Sequence, residues 1–371
     1  MNIIGNIFRD AWSSLRQVLF STVPAVAQTP QINSSSPSNT ADRQQWVDFA
    51  KGVCMFGVVS LYSTDMINNE FAIRGWFQYW VDFARPFRIP DFFILSGLFM
   101  SRIINRPWKK VIDNRVIHYL YFYILWTVIT YYGVQALKAY QLVPESLHRT
   151  EETLFGWLWE PFGLFWFIHI LPIFFLVTRL TRNFPIYLVL FPAMILQAFP
   201  IWKYWGPIGN FSERYVYFYI GYAFGTYFIS AAHWALKNVS KAFLLVIAWA
   251  IINSTLVHFN RSGSKGISLI LGVTGTLAVI MSGAIFSKTT YMNWLSYLGK
   301  NSLVTYLGFF LPVACLVSLL HKFEVLPDVG SMALLITIIG IWLPHLFYVL
   351  TKRSWFAFLF ERPEWTRLSS K

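Results

Sequence analysis

The sequence predicts an all-α fold, a polytopic transmembrane bundle of about ten helices. Two observations predict it. Of the 371 residues, 56% are hydrophobic and only 13% charged, whereas a soluble domain carries roughly 25% charged residues because its surface faces water. The apolar residues also gather in runs, and a crossing needs only about 20 of them. In hydrocarbon each run must satisfy its own backbone polar groups, so each is expected to be a helix.

The runs place helices near 46–64, 88–104, 116–137, 162–178 and 185–201, then near 214–231, 242–257, 267–287, 302–320 and 328–351. The first opens with Asp48 and Lys51, and Pro192 interrupts the fifth. Pro172, Pro312 and Pro344 also fall inside spans. Neighbouring helices can re-satisfy the carbonyls a proline frees, so these positions are expected to kink their helices rather than break them.

Residues 1–45 differ in kind. Ile4, Phe8, Trp12, Leu15 and Leu19 recur at helical spacing opposite Arg9, Ser13 and Arg16, the pattern of a helix lying in the membrane interface. A polar stretch, QTPQINSSSPSNTADRQQ, follows as a flexible linker. The same residues also imitate a signal peptide, although the apolar patch at 18–26 is short and contains Pro24. The membrane domain then spans 46–351 and leaves a tail at 352–371.

The net charge is +13. With the N-terminus inside, 20 of the 30 Lys and Arg fall in cytoplasmic segments. The positive-inside rule therefore places both termini in the cytoplasm. These charges are dispersed along short loops, which excludes a nucleic-acid partner and leaves membrane lipid as the surroundings. Cys54 and Cys315 lie inside spans and read as small buried residues, and no metal-ligand spacing exists. The loops at 65–87 and 138–161 are rich in aromatics, which are either interfacial anchors or a sugar-binding surface.

Ionisable residues inside spans are costly, so each is a functional candidate. Asp48 and Lys51 are three apart on one helical face, where a local ion pair would explain them. Tyr62 lies on nearly the same face, roughly 16 Å deeper at 1.5 Å per residue. Arg85, Arg88 and Asp91 crowd the outer end of the second helix as a candidate substrate site. Ser96 and Gly97 follow, small enough to admit another helix. Lys109, Lys110, Arg115 and His118 form a basic cluster after that helix. Topology retention would explain the cluster, and so would a phosphate-bearing donor such as a coenzyme A thioester.

DFFILSG, at 91–97, resembles the signature of the membrane-bound acyltransferase-3 family. DFAKGVCMFGVVSLYS is similar to that family's opening helix, FWFIHILPIFF to its Trp-Phe helix and YLGKNSLVTYLGFFLP to its ninth helix. The resemblance implies about ten helices and transfer of an acyl group, acetyl foremost, from a coenzyme A thioester. The acceptor would be a hydroxyl of an envelope polysaccharide, a lipid-linked sugar or a periplasmic glucan. The family's usual setting implies a bacterial inner membrane. Lys51 matches the family's basic position, with Arg115, His118 and Lys110 as donor-binding candidates. Two family histidines are replaced. The position eleven residues after Lys51 holds Tyr62, and the YLxH position holds Phe309.

A tyrosine near pKa 10 is a poor general base at neutral pH. His169, beside Trp166 and Phe167, is the candidate to substitute for it, against the plain alternative of a neutral histidine bonded to a carbonyl. His258, His321 and His345 sit near helix ends, and His148 and His233 are expected to be solvated. Two other readings stay open. A glycan transporter or exporter would use the polar line along the first helix, although no internal repeat is visible. A catalytically silent relative would bind the donor or scaffold an envelope complex without turnover.

Overall fold

The computed structural model describes residues 37–144, 147, 153–199, 206–286, 289–323 and 328–368, with side chains from Gln45 onward. The expected interfacial helix, the rival signal peptide and His148 lie outside the described residues. Among those described there is no strand.

Helices follow one another as α1 (Pro37–Phe71), α2 (Gln78–Ala84), α3 (Arg88–Met100) and α4 (Trp108–Val111). A π-helical segment, Ile112–Ile117, leads into α5 (His118–Ala139), then α6 (Leu154–Trp159), α7 (Trp166–Leu180) and α8 (Ile186–Ala198). The second half comprises α9 (Gly206–Ala223), α10 (Gly225–Lys237), α11 (Val239–His258), α12 (Ile267–Phe286) and α13 (Asn293–Lys300). It ends with α14 (Ser302–Gly308), α15 (Phe310–Lys322) and α16 (Val329–Thr351). Five stretches are long and apolar enough to cross a membrane: 108–139, 154–180, α11, α12 and α16. The bent pair α14–α15 makes a sixth. Ten was thus an approximation, because α1, α3 and α9 carry polar groups into the interior and α8 is short.

Three of the differences from expectation have a plain physical reason. α1 begins at Pro37, inside the segment read as linker, because an established helix extends at the cost of ordering one residue per bond gained. The run at 214–231 divides at Phe224, where α9 ends and α10 begins. Pro312 marks a break rather than a mild kink. It has no N–H for the Gly308 carbonyl, and α14 meets α15 at 48°. Pro172, Pro192 and Pro344 do sit inside continuous helices.

α1 runs through the centre and packs against α3, α12, α13, α15 and α16. α3 lies against α9 at very close range. A Cβ at Gly97 would overlap the Phe218 carbonyl oxygen, and one at Gly221 would overlap that of Ile94. Small residues let the two backbones touch where bulkier ones would hold them apart. α11 is peripheral, turning Leu244, Ile251 and Ile252 outward as a lipid-facing helix does. The Asn253 amide ties it inward by donating to the Phe83 carbonyl at 2.8 Å.

Two apolar clusters result. One gathers around α3, α7, α9 and α12, the other around α5, α14, α15 and α16, and α1 contributes to both. Phe167 and Tyr119 pack against each cluster. The seam between the clusters is where the interior is hollow.

Candidate functional site

Lys51 from α1, Arg115 from the π segment and His118 from α5 line one cavity of about 170 Å³. The Lys51 ammonium stands 5.0 Å from the Phe99 ring centre and the Arg115 guanidinium 5.2 Å from that of Phe175. Arg115 Nη1 reaches the Tyr119 hydroxyl at 3.5 Å. Ring faces hold a cation in place without neutralising it. Asp48, the expected partner of Lys51, makes no ion pair with it among the described residues. Asp48 attracts Lys51 without pairing with it, so the two cations give this largely apolar cavity a positive character. π turns recur at functional sites, and here one carries Arg115. Lys110 is exposed at this end of the bundle and does not line the cavity.

Phe92, Phe167 and Tyr306 form the far wall of this cavity and also line a second one of about 70 Å³. Tyr62, Arg88 and Trp166 face the second cavity. Tyr306 is fixed by donating its hydroxyl hydrogen to the Leu164 carbonyl. Tyr62 packs on Phe309 and Phe310, with ring centres at 5.6 and 6.5 Å. Arg88 is only 6% exposed. Its Nη1 donates to the Val81 carbonyl at 3.2 Å, its Nε has no partner, and it makes no ion pair among the described residues.

Ile89 lies between the second cavity and a third of about 520 Å³. Arg85, Arg214 and Lys265 line the third with one carboxylate, Glu213. Arg214 pairs with Glu213 at 2.9 Å and lies 4.4 Å from the Trp166 ring centre, so it stands between the second and third cavities. The three hollows therefore follow one another from the Lys51 end of the bundle to the opposite end.

The crowd expected at Arg85, Arg88 and Asp91 is dispersed by helix rotation. Arg85 faces the third cavity and Arg88 the second, while Asp91 is buried against α1, where the Cys54 thiol donates to it. His169 packs on Tyr123 at 4.9 Å and lines none of the three cavities. His345 is a core histidine within 2.8 Å of the Thr305 hydroxyl, His321 approaches Glu70 at 3.7 Å, and His233 and His258 are exposed. Phe92, Phe167, Tyr306 and Arg214 were not legible as site residues. Aromatics abound in this chain, and Arg214 falls at the very start of the run at 214–231, where it was not singled out.

A further element closes the Lys51 end. The tail at 352–368 folds back on α5 and the π segment. Arg362, 7% exposed, pairs with the buried Asp113 at 2.6 Å and also donates to the Asp113 carbonyl at 2.6 Å. The Trp126 indole and the Tyr121 hydroxyl donate to the carbonyls of Leu359 and Phe358 at 2.7 and 3.0 Å. Arg115 and Asp113 share the π segment, so the tail braces the backbone that presents Arg115.

A family model described as an acyltransferase domain matches residues 44–352. The chain belongs to the acyltransferase-3 family. Neither the curated proteins nor the solved structures contain a match to it. Every residue placed in the three cavities falls within the acyltransferase-3 match, while Arg362 and the rest of the bracing tail lie beyond it. The family and the apolar helices together make this a multi-pass membrane acyltransferase in general terms.

Proposed function

We propose that this acyltransferase moves an acyl group, acetyl foremost, from a coenzyme A thioester to a hydroxyl of an envelope glycan. The observation that carries the reading is the line of three cavities joined through shared walls. Lys51 and Arg115 hold the donor's anionic part, with His118 beside them. A cavity of about 170 Å³ suits the thioester arm, and exposed Lys109 and Lys110 at the same end of the bundle suit the nucleotide phosphates. The donor enters from the cytoplasm of a bacterial inner membrane, with both chain termini on that side.

The acyl carbonyl reaches the narrow middle cavity, where a glycan hydroxyl arriving from the opposite end attacks it. A C–O bond forms, the C–S bond breaks and the coenzyme A thiolate leaves. The proton lost by the hydroxyl must reach the sulfur. Tyr62 relays it, accepting the acceptor's proton as it gives its own to the thiolate, so the phenol is restored in each turnover. The buried Arg88 stabilises negative charge on the tetrahedral oxygen, as preorganised donors do.

A second reading has its own observation. Both family histidine positions are aromatic here and pack on each other, which fits a silent member that binds donor without turnover. Membranes carrying the full chain distinguish the two. Label from radiolabelled acetyl-CoA should enter glycan and be lost in folded Lys51→Ala. Undiminished transfer by Lys51→Ala would remove the proposed donor site.

A further inference from the structure

We infer that the third cavity is a subsite for an anionic acceptor, a glycan bearing a carboxylate or a phosphate near the hydroxyl to be acylated. The inference rests on the acyl-transfer reading for what happens to the ligand, but not for its binding.

Charge is the first argument. Of the residues lining this cavity, Arg85, Arg214 and Lys265 are cations and Glu213 alone is a carboxylate. Glu213 is already engaged by Arg214, and although the Asp65 carboxylate outside the lining attracts Arg85, Arg85 and Lys265 keep the mouth cationic in excess. Lys265 is held 4.3 Å from the Phe199 ring centre, a contact that fixes its ammonium without cancelling its charge. Arg88 continues the series inward, more than nine-tenths buried with an unpartnered Nε. The Asp65 carboxylate of α1 offsets its charge in part without forming an ion pair, and an arriving anion adds to that compensation for a costly buried guanidinium.

Hydrogen-bonding capacity is the second argument. Gln197 lines the cavity, and its amide nitrogen donates to the Ser268 hydroxyl at 2.9 Å. Its buried Oε1 has no partner. An unpartnered acceptor on a residue that lines a polar cavity matches a sugar hydroxyl, which must donate. The cavity volume of about 520 Å³ is enough for a short stretch of glycan. Arg214, stacked on Trp166, leads from this cavity to the middle one. A sugar whose acidic group rests on Arg85 and Lys265 can therefore present a neighbouring hydroxyl toward Tyr62.

The test measures binding alone, by titration calorimetry on the purified full chain in detergent without donor. The probes are tetragalacturonic acid, maltotetraose 6-phosphate and neutral maltotetraose. At least one anionic probe should bind about tenfold tighter than the neutral one, as hydrogen bonds to charged groups imply. That preference should shrink as ionic strength rises, and should vanish in Arg85→Gln/Lys265→Gln. Which anionic probe gains separates a carboxylate from a phosphate acceptor. Glu213→Gln removes the competing carboxylate and should raise anionic affinity, a gain that misfolding cannot imitate.

Equal binding of neutral and anionic glycans, a preference that survives loss of both cations, or no binding by any probe would overturn the inference. Saturable binding of dioctanoyl phosphatidylglycerol without glycan preference would also overturn it, by giving the cavity to a lipid headgroup. Anionic preference without acyl transfer would instead remove the enzymatic reading and keep the subsite.

Discussion

Tyr62 and Phe309 pack on each other with ring centres 5.6 Å apart and planes at 57°. The resemblance puts a histidine at each of these positions, one on α1 and the other where α14 bends into α15. The two replacements are therefore one structural change, an aromatic pair where two imidazoles would face each other. Tyr62 keeps a hydroxyl in the middle cavity, and Phe309 supplies the packing surface for its ring.

If Tyr62 relays the proton, Tyr62→Phe keeps the ring contact and loses the relay. Transfer from radiolabelled acetyl-CoA should fall by roughly 10²–10⁴, the usual contribution of a positioned acid–base group. Folding, read by size-exclusion and thermal melting, should not change. His169→Ala should retain most of the activity, because His169 lines none of the three cavities. No transfer by the wild type, together with transfer gained in Tyr62→His/Phe309→His, would instead identify a silenced acyltransferase.

Much of the fold was legible because hydrocarbon imposes its own code. Apolar runs at 242–257, 267–287 and 328–351 map onto α11, α12 and α16 within a few residues. The same reasoning picked out Lys51, since a charge inside a span needs a reason, whereas Arg115 was singled out by its basic cluster and by the family resemblance. It did not find the break at Phe224, because a change of helix direction leaves hydropathy unchanged. Nor could it see that Arg85, Arg88 and Asp91 part company, which depends on how α3 rotates against α1 and α9. Tyr306 and Phe167 were hidden among 19 tyrosines and 35 phenylalanines. Composition cannot tell a cavity wall from ordinary packing.

The Arg362–Asp113 pair was invisible for a different reason: its members are 249 positions apart. Arg362→Ala would remove the guanidinium from the buried Asp113 carboxylate and leave it the Leu368 N–H at 3.0 Å, and breaking such buried pairs costs about 3–5 kcal/mol. The melting temperature should drop, and coenzyme A affinity should weaken because the π segment carrying Arg115 loses its brace. Arg362→Met/Asp113→Leu removes both charges and should recover most of the stability. A chain cut after Lys352 keeps the whole family match and should still show the Arg362→Ala defect. Wild-type melting and coenzyme A binding in the truncated chain would refute the bracing role.

Lys51 and Arg115 should act together on the donor. Neither makes an ion pair among the described residues, although the half-buried Asp48 carboxylate is attracted by Lys51 and loses that interaction in Lys51→Gln. Lys51→Gln and Arg115→Gln should each weaken coenzyme A binding about tenfold, on the scale of a charge-assisted hydrogen bond. The loss should be smaller at high salt, where the wild type is itself screened. Lys110→Gln, exposed and away from the cavity, should change affinity less than either. Unchanged affinity in Lys51→Gln and Arg115→Gln would mean that the cluster serves topology rather than donor binding.

At the opposite end of the bundle, Asp328 caps α16. Its carboxylate accepts from the Ser331 N–H at 2.7 Å and from the Trp76 indole at 3.0 Å. These hydrogen bonds, those of Ser331 first, hold its pKa below the ordinary aspartate value. A depressed folded-state pKa means the ionised form is favoured by folding. The stabilisation is complete above the unfolded aspartate pKa and is lost as pH falls through the lower folded one. Trp76 fluorescence and hydrogen exchange at 329–332 should therefore both report loosening in the acid range and none near neutrality. Asp328→Asn can still cap the helix, so it should keep the neutral-pH signal and abolish the acid transition. An acid transition that persists unchanged in Asp328→Asn would assign it to another carboxylate.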